Sequence, residues 1–149
     1  MNGPNFHLIS HTADLKIEVN AESLEQLFAD CARAMFLAMK PRIKHPDCLQ
    51  VGNDLVCQKF SCVHEITVNE PDHELLLVDF LSEALYLSDV HHETYLDVQV
   101  KISGNQLKSR LSGVPVVGWD ASHIKAVTYS DLVVEQCDEQ WRACVVFDI

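Results

Sequence analysis

The chain has 149 residues, 48% of them apolar, and carries 11 Lys and Arg against 22 Asp and Glu, a formal charge of −11. That length favours a single domain, residues 1–149, with a real core, and the charge excludes broad nucleic-acid binding, because phosphate backbones are held by Lys and Arg. No apolar run reaches the roughly 18 residues of a membrane span, and residues 1–10 lack the pattern of a secretory signal, so the cytosol is the expected compartment.

Phe6 to Ile9 is short and apolar and predicts an edge strand. Leu15-Lys16-Ile17-Glu18-Val19 alternates apolar and polar, as a half-buried strand does. Ser23-Leu24-Glu25-Gln26 has the capping-box order, in which the Ser hydroxyl accepts from an early N–H and Gln26 reaches back. Leu24, Leu27, Phe28, Cys31, Met35 and Leu37 to Ala38 follow at helical spacing, and Pro41 stops the run. Ile43 to Val51 fits neither period. Strand-like alternation returns between Leu55 and Val68.

Pro71 suits the first turn of a second helix because it lacks an N–H, and Asp72 and Glu74 suit its positive end. Leu75, Leu76, Val78, Phe80, Leu81, Leu85 and Tyr86 give it a broad apolar face that fades by Ser88-Asp89, so His91-His92 reads as surface loop. Leu96, Val98, Val100 and Ile102 alternate with polar residues, and Gly104-Asn105 turns the chain into a strand through Leu107 and Leu111. Val114 to His123 reads as loop. Strands are expected at Ile124 to Tyr129, Leu132 to Cys137 and Trp141 to Phe147, with Asp138-Glu139-Gln140 turning between the last two. The order implies an α+β, two-layer domain: a mostly antiparallel sheet with two main helices packed on it.

Cys31, Cys48, Cys57, Cys62, Cys137 and Cys144 form no Cys-x-x-Cys pair. Disulfides are not expected in a cytosolic chain. Zinc around Cys57, Cys62 and His64 lacks a second paired half. Cys31 and Cys144 read as small core residues.

Two segments concentrate polar chemistry. His11-Thr12-Ala13-Asp14 offers an imidazole, a hydroxyl and a carboxylate just before a strand, though the same residues serve equally as a turn or cap. In Phe147-Asp148-Ile149 a side-chain carboxylate neighbours a terminal one. Two such groups repel unless a cation intervenes, and hard cations such as Ca²⁺ and Mg²⁺ take oxygen ligands. A solvated tail is the alternative, against which stands the apolar strand leading into it. Lys125 is the one cation in the apolar run Lys125-Ala126-Val127-Thr128-Tyr129. No phosphate loop, dinucleotide fingerprint or nucleophile elbow is present. A metal-assisted hydrolytic site on Asp14, His11 and Lys125 is open but not demanded by spacing.

Along nearly its whole length the chain resembles the archease family. The resemblance is carried by His11-Thr12-Ala13-Asp14, Ser23 to Phe28, Leu75 to Leu81, Leu85-Tyr86-Leu87, Lys125 to Tyr129 and the ending Trp141 to Ile149. It implies an accessory protein, not itself an enzyme, that promotes guanylylation and repeated turnover of an RtcB-type RNA-splicing ligase. A chaperone-like role toward an RNA-modifying methyltransferase is also implied. The family's divalent-metal site (Ca²⁺, Mg²⁺ or Mn²⁺) falls on Asp14, Asp148 and the Ile149 carboxylate, and its functional lysine on Lys125; His11 is the further functional candidate. Three departures stand out. Val114 replaces the usual acidic residue after Gly113, in a segment shorter than usual. His123 replaces an acidic residue two places before the lysine. Ser130 replaces the His after Thr128-Tyr129.

Overall fold

The computed structural model describes residues 3–10, 14–44, 48–51 and 54–149. Strand β1 (Phe6–Ser10) lies antiparallel to β2 (Asp14–Ala21), as the apolar stretch and the alternation predict. Helix α1 (Leu24–Ala38) starts on Ser23, whose hydroxyl accepts from the Gln26 N–H at 3.1 Å. The second half of the capping box does not form. The Gln26 amide instead donates forward to Asp30 at 2.8 Å. The helix stops where Lys40 takes a positive φ of 52° ahead of Pro41.

Short strand β3 (Pro41–Arg42) pairs with a later one. Then β4 (Cys48–Val51) and β5 (Asp54–Cys57) form a hairpin in which Cys48 and Cys57 are register partners. Those two cysteines are joined by a disulfide, which corrects the expectation of free thiols. Cross-strand pairing brings the two sulfurs together, and nothing in their spacing announces it.

After β6 (Cys62–Asn69) comes α2 (His73–His91). Its cap is Asp72, which accepts from the Leu75 N–H at 2.8 Å, so Pro71 precedes the helix instead of opening it. The helix also outruns its apolar stripe: His91 is its last residue and His92 its left-handed cap at φ 56°, not a loop. Strands β7 (Glu93–Ser103) and β8 (Gln106–Pro115) follow, joined by Gly104 at φ 60°. Strand β9 (Gly118–Trp119) lies in the expected loop and pairs with β3. Of the expected strand at 124–129, only β10 (Ala126–Val127) forms. Thr128 ends it by turning both its N–H and its hydroxyl to the Val146 carbonyl. Strands β11 (Val133–Cys137) and β12 (Gln140–Asp148) close the chain.

The α+β class holds, with two helices and antiparallel pairing throughout the described residues. The described strands divide among four sheets, two of them substantial. One has the order β1-β2-β12-β10, with β11 on the same edge of β12; the other has β6-β8-β7. Both helices touch both of these sheets. Helix α1 is therefore buried on nearly every side, and its Leu27, Phe28, Cys31, Met35 and Phe36 are fully enclosed. Even its charged pair is internal: Arg33 donates to the Leu96 carbonyl at 3.0 Å and lies 3.7 Å from Asp30. Burial pushes the Asp30 carboxyl up, against the pull of Gln26 and Arg33. No helix among the described residues is long and apolar enough to cross a membrane.

Candidate functional site

Strands β2 and β12 are zipped along their full length, and their inner-face pairs are Leu15 with Phe147, Ile17 with Val145 and Val19 with Ala143. Ile17, Val19, Ala143, Val145 and Phe147 are buried, and a one-residue slip would turn this set to solvent. That register fixes what happens at the strand ends. Asp14, the first residue of β2, stands directly opposite Asp148, the last of β12. Partners so placed share a face and hold their Cβ atoms about 5 Å apart. Both side chains are exposed.

Strand β10 braces the same corner. Ala126 opposes Asp148, and the Lys125 N–H donates to the Asp148 carbonyl at 2.7 Å. Ile149 packs its side chain against the core, so the last residue is docked. The structure thus brings Asp14, Lys125, Asp148 and Ile149 together at one end of a sheet. Lys125 is exposed. His11 lies outside the described residues. Lys16 was not singled out from sequence. It is half-buried on the same face as both carboxylates, one step along from Asp14 and diagonal to Asp148. Its period-two spacing from Asp14 was the available signal.

Carboxylates elsewhere on this outer face are compensated. Arg142 reaches Glu18 at 3.3 Å and Glu135 at 2.9 Å. The hydrogen bond from Arg142 holds the Glu18 carboxyl below its ordinary value, and Glu18 in turn raises Arg142. Cys144, buried as expected, sits on this face against Glu18 and not in the inner core. Asp14 and Asp148 have no hydrogen-bond or ion-pair partner among the described residues. Like charges directly opposite each other destabilise a sheet, and facing carboxylates are oxygen donors of the kind a hard cation accepts, with water completing its shell. The residues present therefore fit a Ca²⁺, Mg²⁺ or Mn²⁺ ion. No trio of His, Cys, Asp or Glu side chains among the described residues is set for a metal, so any further ligand must be a main-chain or terminal oxygen or water.

A second polar cluster lies where β6 meets the end of α2. His64 bonds Glu93 at 2.7 Å, the Tyr95 hydroxyl donates to the same carboxylate oxygen at 2.8 Å, and His91 stacks on His64 at 4.6 Å. Burial raises the Glu93 carboxyl, but hydrogen bonds from Cys62, Tyr95 and His64 outweigh it and leave it below its ordinary value. With Cys57 in the disulfide and His64 bonded to Glu93, the trio Cys57, Cys62 and His64 is not assembled. The residues that depart from the family pattern also have structural work. Val114 is fully buried, His123 bonds Asp89 at 2.9 Å, and the Ser130 N–H donates to the Thr128 hydroxyl.

Comparison with known proteins identifies relatives and structures of the same fold. The model of the Archease protein family (MTH1598/TM1083) matches residues 6–149. A protein named archease from Methanosarcina mazei is 32% identical, the alignment covering 99% of this chain and 97% of that one. The archease of Pyrococcus abyssi is also 32% identical, over 93% and 94% of the two chains. Two solved structures share the fold. Protein 1598 of Methanobacterium thermoautotrophicum has a TM-score of 0.70 at 20% identity, covering 97% of this chain and 98% of that one. An archease from Thermotoga maritima, described as a possible chaperone, has 0.60 at 23%, covering 100% and 98%. With the family model spanning all but the first residues, and relatives at this identity matched nearly end to end, the chain belongs to the archease family.

Proposed function

We propose that this chain is a non-enzymatic accessory protein of the cytoplasm that activates an RtcB-type RNA-splicing ligase. It promotes the ligase's guanylylation and multiple turnover in tRNA splicing and RNA repair. Family membership supports the class of function. The observation that carries the site is the pairing of Asp14 with Asp148, two carboxylates without an ion-pair partner among the described residues, fixed opposite each other by a buried register.

Asp14, Asp148 and the carboxylate of Ile149 would hold a divalent ion at this tip. Bound there, the ion supplies positive charge that offsets the carboxylates and lets the tip approach phosphate or nucleotide in the partner. The chain's own residues do the rest. The β2–β12 register holds the oxygens in place, Ile149 anchors the tail, and Lys125, with His11, presents polar contacts to the partner. The test is a reconstituted ligase assay with Asp14→Asn and Asp148→Asn, alongside thermal unfolding with and without Ca²⁺. Both variants are expected to lose ligase activation and the ion-dependent rise in Tm. Full activation by both variants would sink the role of the tip. The pure protein is expected to turn over no phosphoester by itself.

A chaperone-like module for an RNA-modifying enzyme is the second reading. The description of the Thermotoga maritima relative favours it, as does the exposed apolar pair Leu49 and Val56 across the β4–β5 hairpin. Suppression of client aggregation that survives Asp148→Ala would select this reading over the first.

A further inference from the structure

We infer that the outer face of the β6-β8-β7 sheet is a binding site for a compact phosphate-bearing anion, held by Lys101, Lys108 and Arg110. In the register of this sheet, Thr67, Lys108 and Lys101 form one row, and Glu65, Arg110 and Gln99 form the next. All six side chains are exposed, and they line a depression of about 520 Å³. Lys101 and Lys108 oppose each other directly, and Arg110 is the next residue on that face of β8. The Cβ atoms of these three cationic residues thus lie about 5 to 8 Å apart.

The arrangement is unusual for this molecule. The chain carries a formal charge of −11. Its other arginines are each tied to a carboxylate: Arg33 to Asp30, Arg42 to Asp120, and Arg142 to Glu18 and Glu135. Lys101, Lys108 and Arg110 have no ion-pair partner among the described residues. A like-charged cross-strand pair destabilises the sheet that carries it, and an anion between the three would remove that repulsion. The planar fork of Arg110 suits two phosphate oxygens, the lysines act as point charges, and Thr67 and Gln99 add neutral donors at either side.

The size of the positive zone selects the ligand. Glu65 flanks Arg110, and Asp97 follows Gln99 along the same face of β7. The face also carries no aromatic side chain on which a base could stack. A polyanionic strand would run onto carboxylates, whereas one or two phosphate groups fit between them.

The experiment is amide NMR titration of the full chain at low salt with inorganic pyrophosphate, ATP and a short single-stranded oligouridylate. Pyrophosphate is expected to give saturable shifts centred on residues 67, 99, 101, 108 and 110, weakening about tenfold in Lys101→Gln/Lys108→Gln. Equal affinity for ATP identifies the phosphates alone as ligand; tighter ATP binding identifies a nucleotide. The double variant removes only exposed charge and is expected to melt no lower than the parent, so lost binding is not lost fold. No saturable shift with pyrophosphate, unchanged affinity in the double variant, or tighter binding of the oligouridylate than of pyrophosphate each overturns the proposal. Because Asp14 and Asp148 are untouched, the result is independent of ligase activation.

Discussion

At the scale of single residues, partners decide what each carboxylate does. Glu18 is drawn into the Arg142 network, Asp30 is enclosed within α1, and Asp14 and Asp148 face each other with no ion pair formed among the described residues. Replacing Asp14 with Asn removes a like-charge opposition and is expected to stabilise the metal-free protein by about 0.2–1 kcal/mol. Urea unfolding in EDTA reads this directly, and a loss of stability there would mean that the pair does not repel. The sign is opposite with divalent ion in excess, where the parent gains and the variant does not.

Glu93 offers a test by pH. Its folded value lies below the ordinary 4.5, so its contribution is complete above that value and is lost as pH falls through the folded one. Asp30 works the other way: its raised carboxyl favours the fold at low pH, and that benefit fades as pH rises through its ordinary value of 3.8. Glu93→Gln is expected to lower stability near neutrality by about 1–2 kcal/mol. It should also flatten the loss of stability as pH falls below the ordinary value of 4.5. An acid limb as steep in the variant as in the parent would show that His64 and Tyr95 gain nothing from the charge.

At the scale of elements, the best-marked features in the sequence were local ones. Ser23 and the helically spaced apolar residues of α1, the alternation of β2, and Gly104-Asn105 each act within a few residues, so their signals survive in the bare sequence. What escaped depends on distant partners. Strand β9 exists because Pro41–Arg42 lies beside it, and the end of α2 is set by a left-handed His92 that no periodicity announces. Gly113 is the sharpest case. It lies between Cys62 of β6 and Tyr95 of β7, next to the irregularity at Tyr95/Asp97. A Cβ built there would lie 1.8 Å from the Thr94 carbonyl oxygen. The neighbour is backbone and cannot swing aside. Gly113→Ala is therefore expected to cost more than about 3 kcal/mol, beyond ordinary overpacking, by forcing β7 from β8. Denaturant unfolding measures the loss, and a variant within about 0.5 kcal/mol of the parent would place it among ordinary surface substitutions, which this geometry does not allow.

At the scale of the whole molecule, the candidate site joins the two ends of the chain, and that is why spacing alone could not find it. Asp14 and Asp148 meet only through a β2–β12 ladder whose register is held by buried partners. In the sequence only the family resemblance linked them. The same architecture separates what supports the site from what does not. Phe147 is fully buried against Leu15, one residue before Asp148, and is part of the core cluster. The β4–β5 hairpin pairs only with itself and contributes nothing to that cluster among the described residues. Phe147→Ala is expected to lower stability by about 3–5 kcal/mol, with amide protection falling at Lys125 and Thr128, whose N–H groups are held by Asp148 and Val146. Cys48→Ser should instead act locally. A disulfide closing so short a loop stabilises by about 2–3 kcal/mol at most, and that effect reaches the global midpoint only if the hairpin unfolds with the core. Hydrogen exchange is thus expected to quicken along β4 and β5 and stay unchanged along β2 and β12, with the urea midpoint nearly fixed. If Cys48→Ser instead lowered protection at β2 and β12 as Phe147→Ala does, the hairpin would be part of the cooperative core, and the site would depend on the redox state of a bond far from it in sequence.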